Sequence, residues 1–169
     1  MQLVEAMVQS LEQSQGYLTR ALNGLTQKEA SWSPAPESNS IAFILWHSTR
    51  VEDFYVVRVI ERQTELYEAE GWCERLGTPA KDTGFGYTVE QLRVWPVPKL
   101  EIIRGYAEAV RKRTMALLNT ITPERLSELA RPDRPPDTVG EILCRIITEI
   151  ALHTGQIAYL RGVQRGMNK

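Results

Sequence analysis

Four stretches of this chain repeat their apolar residues at intervals of three and four, and no stretch alternates apolar with polar residues over a useful length. That period is the signature of amphipathic helices, each needing a second apolar surface against which to bury its stripe. The first stripe is Val4, Met7, Val8, Leu11, Leu18, Leu22 and Leu25. The second opens after the N-cap cluster Ser38-Asn39-Ser40 and runs to about Gln63, with Ile41, Ile44, Leu45, Val51, Tyr55, Val56 and Val59. The third starts near Pro98 and carries Leu100, Ile103, Ala107, Val110, Thr114, Leu117 and Ile121. The fourth follows Pro135-Pro136-Asp137 and begins at Thr138 with Glu141 three residues on, a capping box. Its stripe is Val139, Ile142, Leu143, Ile146, Ile150, Ile157 and Leu160. Ala151, Leu152, Ala158 and Tyr159 lie outside that stripe, so the helix asks for cover on a second side, which a partner subunit would give.

Capping patterns at Thr26-Gln27-Lys28-Glu29, Thr88-Val89-Glu90-Gln91 and Thr122-Pro123-Glu124 open shorter helical turns. The segment from Leu66 to Tyr87 holds Gly71, Gly77, Gly84, Gly86 and Pro79 without sustained periodicity, and reads as a long connection between helices two and three. The expectation is an all-α four-helix bundle in one domain, 1–169, a length that suits a single core.

Twenty Lys and Arg stand against 21 Asp and Glu. This balance gives no field directed at nucleic acid or an anionic membrane. The densest basic run, Arg111-Lys112-Arg113, reads as a solvated helix face. The longest uninterrupted apolar run is Ile41 to Trp46, whereas a membrane-spanning helix needs ~20 residues. Met1-Gln2-Leu3-Val4-Glu5 shows no signal-peptide pattern. Cys73 and Cys144 form no CxxC motif, and the expectation is a cytoplasmic chain with both thiols free.

Chemistry concentrates on the only two histidines, His47 in helix two and His153 in helix four. Glu149 lies one turn before His153, so the two side chains share a face and can address one atom. His47 can supply a third ligand, and two imidazoles with one carboxylate leave a position open for water or substrate. The competing reading makes each histidine a hydrogen-bonded core residue and pairs Glu149 with Arg145 at i−4. A ferritin-like site needs two Glu-x-x-His pairs, and a zincin needs H-E-x-x-H; neither occurs. Ser48 and Glu52 fall inside the second stripe as candidates to support an imidazole. Gly155 is expected to permit close helix approach, and Gln156 to donate a hydrogen bond near the site or to cap the bundle edge. Trp72, Phe85, Tyr87 and Trp95 either line a pocket lid or pack the long connection.

The segment from Trp32-Ser33-Pro34 through Leu45-Trp46-His47 to Glu52-Asp53, together with His153-Thr154-Gly155-Gln156-Ile157, resembles the DinB-like family over essentially the whole chain. The resemblance implies a four-helix bundle with a divalent metal near one end, and commonly a homodimer. The family usually has histidine where this chain has Glu149. The His47, Glu149, His153 set is similar to that of the mycothiol-dependent maleylpyruvate isomerase branch, which implies zinc or nickel and a low-molecular-weight thiol cofactor. Three functions are open to such a site. One is a metal-dependent enzyme that activates a small thiol for S-transfer or isomerisation; the others are a non-catalytic, stress-related metal-binding dimer and a metal-dependent hydrolase.

Overall fold

The computed structural model describes residues 3–131 and 137–166. Pro135 and Pro136, read above as punctuation before the last helix, lie outside those residues, as do Met1 and Gln2. The described chain is all-α, and its only β-type pairing is one bridge between Leu129 and Thr138.

Helix α1 (Leu3–Leu22) buries Met7, Leu11, Leu18 and Leu22 of the expected stripe, and Ser14 beside them, while Val4 and Val8 stay half-buried. Thr26 then stops the chain and starts α2 (Gln27–Ser31) through a reciprocal capping box with Glu29. Ser40 caps α3 (Ile41–Asp53) by accepting from the Phe43 backbone N–H. Residues Ile41 to Trp46 are all buried, because α2 and two long helices later in the chain cover this helix from several sides.

From Phe54 to Ile60 the same helix continues in π-helical geometry, and it ends there rather than near residue 63. The wider turn keeps Val56, Val57 and Ile60 in the core while Phe54 and Tyr55 stay half-exposed on another face. Arg62 turns the chain away with a positive φ of 57°.

The connection after helix two is more regular than its glycines suggest, for it holds α4 (Leu66–Ala69) and α5 (Trp72–Leu76) before α6 (Val89–Val94). What fixes it is a buried ionic cluster. The Arg50 guanidinium contacts Glu65 at 2.8 Å and donates to the Asp82 and Ala80 carbonyls at 2.9 and 3.3 Å. It also lies 3.9 Å over the Tyr67 ring. Asp53 accepts from the backbone N–H groups of Leu66 and Tyr67 and from the Tyr106 hydroxyl. Two side chains of α3, Arg50 donating and Asp53 accepting, thus satisfy backbone groups that no helix or sheet would satisfy.

The long helices α7 (Leu100–Thr120) and α9 (Val139–Arg165) complete the body, with the short α8 (Pro123–Leu126) between them. Thr138 and Glu141 form the expected capping box at the start of α9. α1 packs along α9, α9 on α3, and α3 on α7, while α1 and α7 barely touch. The loose seam opens into a cavity of about 330 Å³ lined by Leu18, Leu45, Ser48, Glu52, Arg111 and Thr154 among others. Arg111 clamps Glu52 through two hydrogen bonds of 2.9 and 3.0 Å, and Arg113 pairs with Glu61 at 2.8 Å. The basic run is therefore not merely a solvated face: two of its three residues tie α7 to α3 and its π-helical extension.

Cys73, which falls in the segment read as a long connection, is buried on α5, Cys144 is exposed on α9, and both are free. No helix among the described residues is long and apolar enough to cross a membrane.

Candidate metal centre

The seam between α3 and α9 carries His47, Glu149 and His153 into one cavity of about 550 Å³. Val51, Phe54, Tyr55, Thr83, Phe85, Arg131 and Arg145 complete its wall. The π-helical turn supplies Phe54 and Tyr55 to that wall.

His47 leaves α3 half-buried, its ring parallel to that of Phe43 one turn earlier, with centroids 6.1 Å apart. Its Nδ1 lies 2.5 Å from the Thr83 carbonyl oxygen. A carbonyl only accepts, so Nδ1 carries the proton and Nε2 keeps its lone pair. Burial pushes the His47 pKa down, and the nearby His153 adds to that, against the Thr83 carbonyl, which pulls it up. The ring is neutral at neutral pH, as a metal ligand must be.

The Thr83 carbonyl is held in place by its neighbour. Gly84 has φ +72°, and a Cβ there would lie 2.7 Å from Trp46 and 2.9 Å from Phe43. Only glycine lets the connection lie this close to α3.

His153 presents the matching arrangement from α9. Its Nδ1 is 2.9 Å from Gln156 Oε1, in the assigned amide orientation. Gln156 therefore accepts from the ring, where the sequence suggested a donor or an edge cap. The other nitrogen, Nε2, is buried and has no hydrogen-bond partner. Glu149 Oε2 stands 3.6 Å from it. Two ligand atoms on one tetrahedral ion at ~2.1 Å stand roughly 3.4 Å apart, so this pair already has the bite of a metal chelate. The His47 ring meets His153 edge to face, with centroids 5.2 Å apart.

The residues present fit a divalent metal in donor chemistry: two imidazoles whose Nε2 atoms are free, one carboxylate, and a buried nitrogen that lacks any other partner. They do not close on a single point as they stand, since among the described residues no three His, Cys, Asp or Glu side chains are grouped tightly enough to hold an ion.

Several neighbours differ from their sequence reading. Arg145 pairs with Asp137 at 2.9 Å, not with Glu149. Glu52 is taken by Arg111, and the Ser48 hydroxyl donates to the Leu45 carbonyl, so neither supports an imidazole. Both turn away from the histidines and line the cavity between α1 and α7 instead, because one residue's step turns a helix by ~100°. Gly155 meets nothing within 4 Å of a built Cβ, so close helix approach does not explain it. Of the four aromatic residues in and after the connection, Phe85 lines the cavity and is largely exposed, while Trp95 is buried in the core. Tyr87 packs against Phe43, and Trp72 against Tyr106. Sequence reasoning missed Thr83 and Arg131. Neither belongs to a periodic helix, so no pattern announces which way it faces.

The fold and this cavity define a class: an all-α bundle whose second and last long helices present a His, Glu, His donor set. The chain belongs to the DinB superfamily, whose sequence pattern it matches over residues 10–157. Among solved structures it is similar to a conserved protein from Enterococcus faecalis, with 23% identity and a TM-score of 0.85. That likeness covers 96% of this chain and 97% of the other, and it speaks for the fold alone. Comparison with curated proteins gives no match.

Proposed function

We propose that the chain is a metal-dependent enzyme that activates a low-molecular-weight thiol toward an electrophilic substrate, with His47, Glu149 and His153 as the metal ligands and zinc or nickel as the metal. The observation that carries this reading is the buried, unpartnered Nε2 of His153, 3.6 Å from the Glu149 carboxylate. A core histidine would have satisfied that nitrogen, since a buried polar atom without a partner costs roughly 1–3 kcal/mol. A bound divalent ion supplies Lewis acidity, which lowers the pKa of a coordinated thiol or water.

The chain's own residues do the rest. Thr83 and Gln156 fix the two rings in the Nδ1–H tautomer and orient their Nε2 lone pairs into the cavity. Val51, Phe54 and Phe85 give an apolar wall for the electrophile. Both imidazoles are committed as ligands, which leaves no histidine as a general base. Thiolate addition needs no base once the thiol is ionised, so it suits this site better than hydrolysis.

The reading takes 1–169 as one cytoplasmic domain and includes a homodimer through α9. On that helix Leu152, Tyr159 and Val163 are exposed beside the groove that Ala151, Gly155 and Ala158 line with α1. The test is a thiol-transfer assay on zinc- and nickel-loaded protein, with a chromogenic electrophile and a panel of small thiols. Metal-dependent turnover with at least one thiol is expected. No turnover with any thiol, in protein that binds the metal, would favour the non-catalytic binding role instead.

A further inference from the structure

The cavity lining holds a cation that the metal reading leaves unused. Arg131 lines the cavity, is half-buried, and its guanidinium has no hydrogen-bond or ion-pair partner among the described residues. Every other buried or half-buried arginine among the described residues is matched. Arg50 has Glu65, Arg111 has Glu52, Arg161 and Arg165 share Glu29, and the cavity's second arginine, Arg145, has Asp137.

Nor is Arg131 carried on a loose segment. The backbone N–H groups of Ala130 and Arg131 both donate to the Asp137 carbonyl, at 3.0 and 3.4 Å, and Leu129 bridges Thr138 at the N-cap of α9. The chain is thus pinned to the start of the helix that carries Glu149 and His153.

Among the described residues, the charged side chains lining the cavity are Arg131 and Arg145 against Glu149. Since Asp137 answers Arg145, the wall balances only until a divalent ion is added, and the loaded site is then positive on both sides. The apolar part of the cavity lining includes Val51, Phe54 and Phe85.

We propose that Arg131 is a substrate-binding residue, and that the cavity takes a small organic carboxylate whose anionic end pairs with the guanidinium and whose apolar, flat body lies on Val51, Phe54 and Phe85. Guanidinium is suited to this because its planar fork matches a carboxylate in two parallel hydrogen bonds. As a statement about substrate class the inference rests on the proposed enzymatic reading; as a binding subsite it does not need the metal.

The test uses the metal-free full chain with cinnamate and its neutral analogue cinnamamide as probes, titrated by heteronuclear NMR, with zinc titrated separately by calorimetry. Cinnamate should bind and shift the resonances of Val51, Phe85 and Arg131, and cinnamamide should bind at least tenfold more weakly. Arg131→Gln should weaken cinnamate by roughly tenfold or more, the loss expected for a charge-assisted hydrogen bond. Arg131→Lys should restore part of it, and zinc affinity should be the same in all three proteins. N-acetylcysteine and its amide, added to the zinc-loaded chain, locate the carboxylate. Arg131-dependent preference for the acid there, with none for cinnamate, would assign the anionic end to the thiol and overturn the apolar-body assignment. Equal affinity for cinnamate and cinnamamide, or cinnamate binding unchanged in Arg131→Gln, would overturn the subsite. Cinnamate binding in a chain that fails to bind zinc would leave the subsite standing and remove the metal reading.

Discussion

At the scale of single residues, the candidate site is made by what each imidazole does with its second nitrogen. Thr83 and Gln156 accept from Nδ1 of His47 and His153, and both Nε2 atoms are left for something else. Gln156→Ala should therefore lower zinc affinity by about 10–100-fold, the usual effect of removing a ligand's orienting partner. Calorimetric titration checks this, and unchanged affinity would show that Gln156 does not orient His153. Gly84 is the other decisive residue, because a Cβ there would run into Trp46 and Phe43 in a left-handed conformation. Gly84→Ala should cost about 1–3 kcal/mol of stability, measured by denaturant unfolding. It should also weaken zinc binding, because the Thr83 carbonyl would be displaced from His47. The E-x-x-x-H spacing was legible in the sequence because helical period alone places Glu149 over His153. Thr83 and Arg131 were not, since their directions are set by contacts between segments distant in the chain.

At the scale of elements, α3 and α9 are positioned by charge as well as by apolar stripes. Removing one member of a buried ion pair leaves the other desolvated and unanswered. Arg50→Met should destabilise the chain by roughly 3–5 kcal/mol, read from denaturant unfolding, because Glu65 and Asp53 stay buried. The far end of α9 is tied differently: Arg165 and Arg161 hold the carboxylate of Glu29, which also accepts from the Thr26 backbone N–H. The Arg165 hydrogen bonds, with those from Thr26, hold the Glu29 carboxyl well below the usual carboxylate range. A folded-state pKa below the unfolded value contributes stability above the unfolded pKa of ~4.3 and loses it as pH falls further. The stability gap between the parent and Glu29→Gln should thus be full at pH 7 and narrow steadily below about pH 4. Thermal melts across that range check it, and a gap independent of pH would contradict the assignment. The helices themselves were legible because caps and stripes are local, and Thr26, Thr88, Thr122 and Thr138 all start helices as read. The π-helical turn and the two short helices of the connection were not. Hydrogen bonds that Arg50 donates to distant carbonyls and that Asp53 accepts from distant N–H groups organise the connection, and a periodicity search sees only neighbours.

At the scale of the whole molecule, the all-α fold follows from four stripes that need mutual cover, and the DinB superfamily match agrees with it. The exposed Leu152, Tyr159 and Val163 on α9 motivate the proposed dimer. Sedimentation equilibrium at micromolar concentration should give twice the 19.2 kDa chain mass, and a monomer at that concentration would remove the dimer from the account. The central claim is that His47, Glu149 and His153 together hold one divalent ion. It is tested most directly by calorimetric zinc titration of the parent chain beside His47→Ala, Glu149→Ala and His153→Ala, with thermal melts of each in zinc and in chelator. The account predicts one ion per chain, lost or strongly weakened in all three variants, and a zinc-dependent rise in melting temperature seen only in the parent, because the ion stabilises the native state it binds. Zinc binding that is absent from the parent, or equal in parent and His153→Ala, would contradict it.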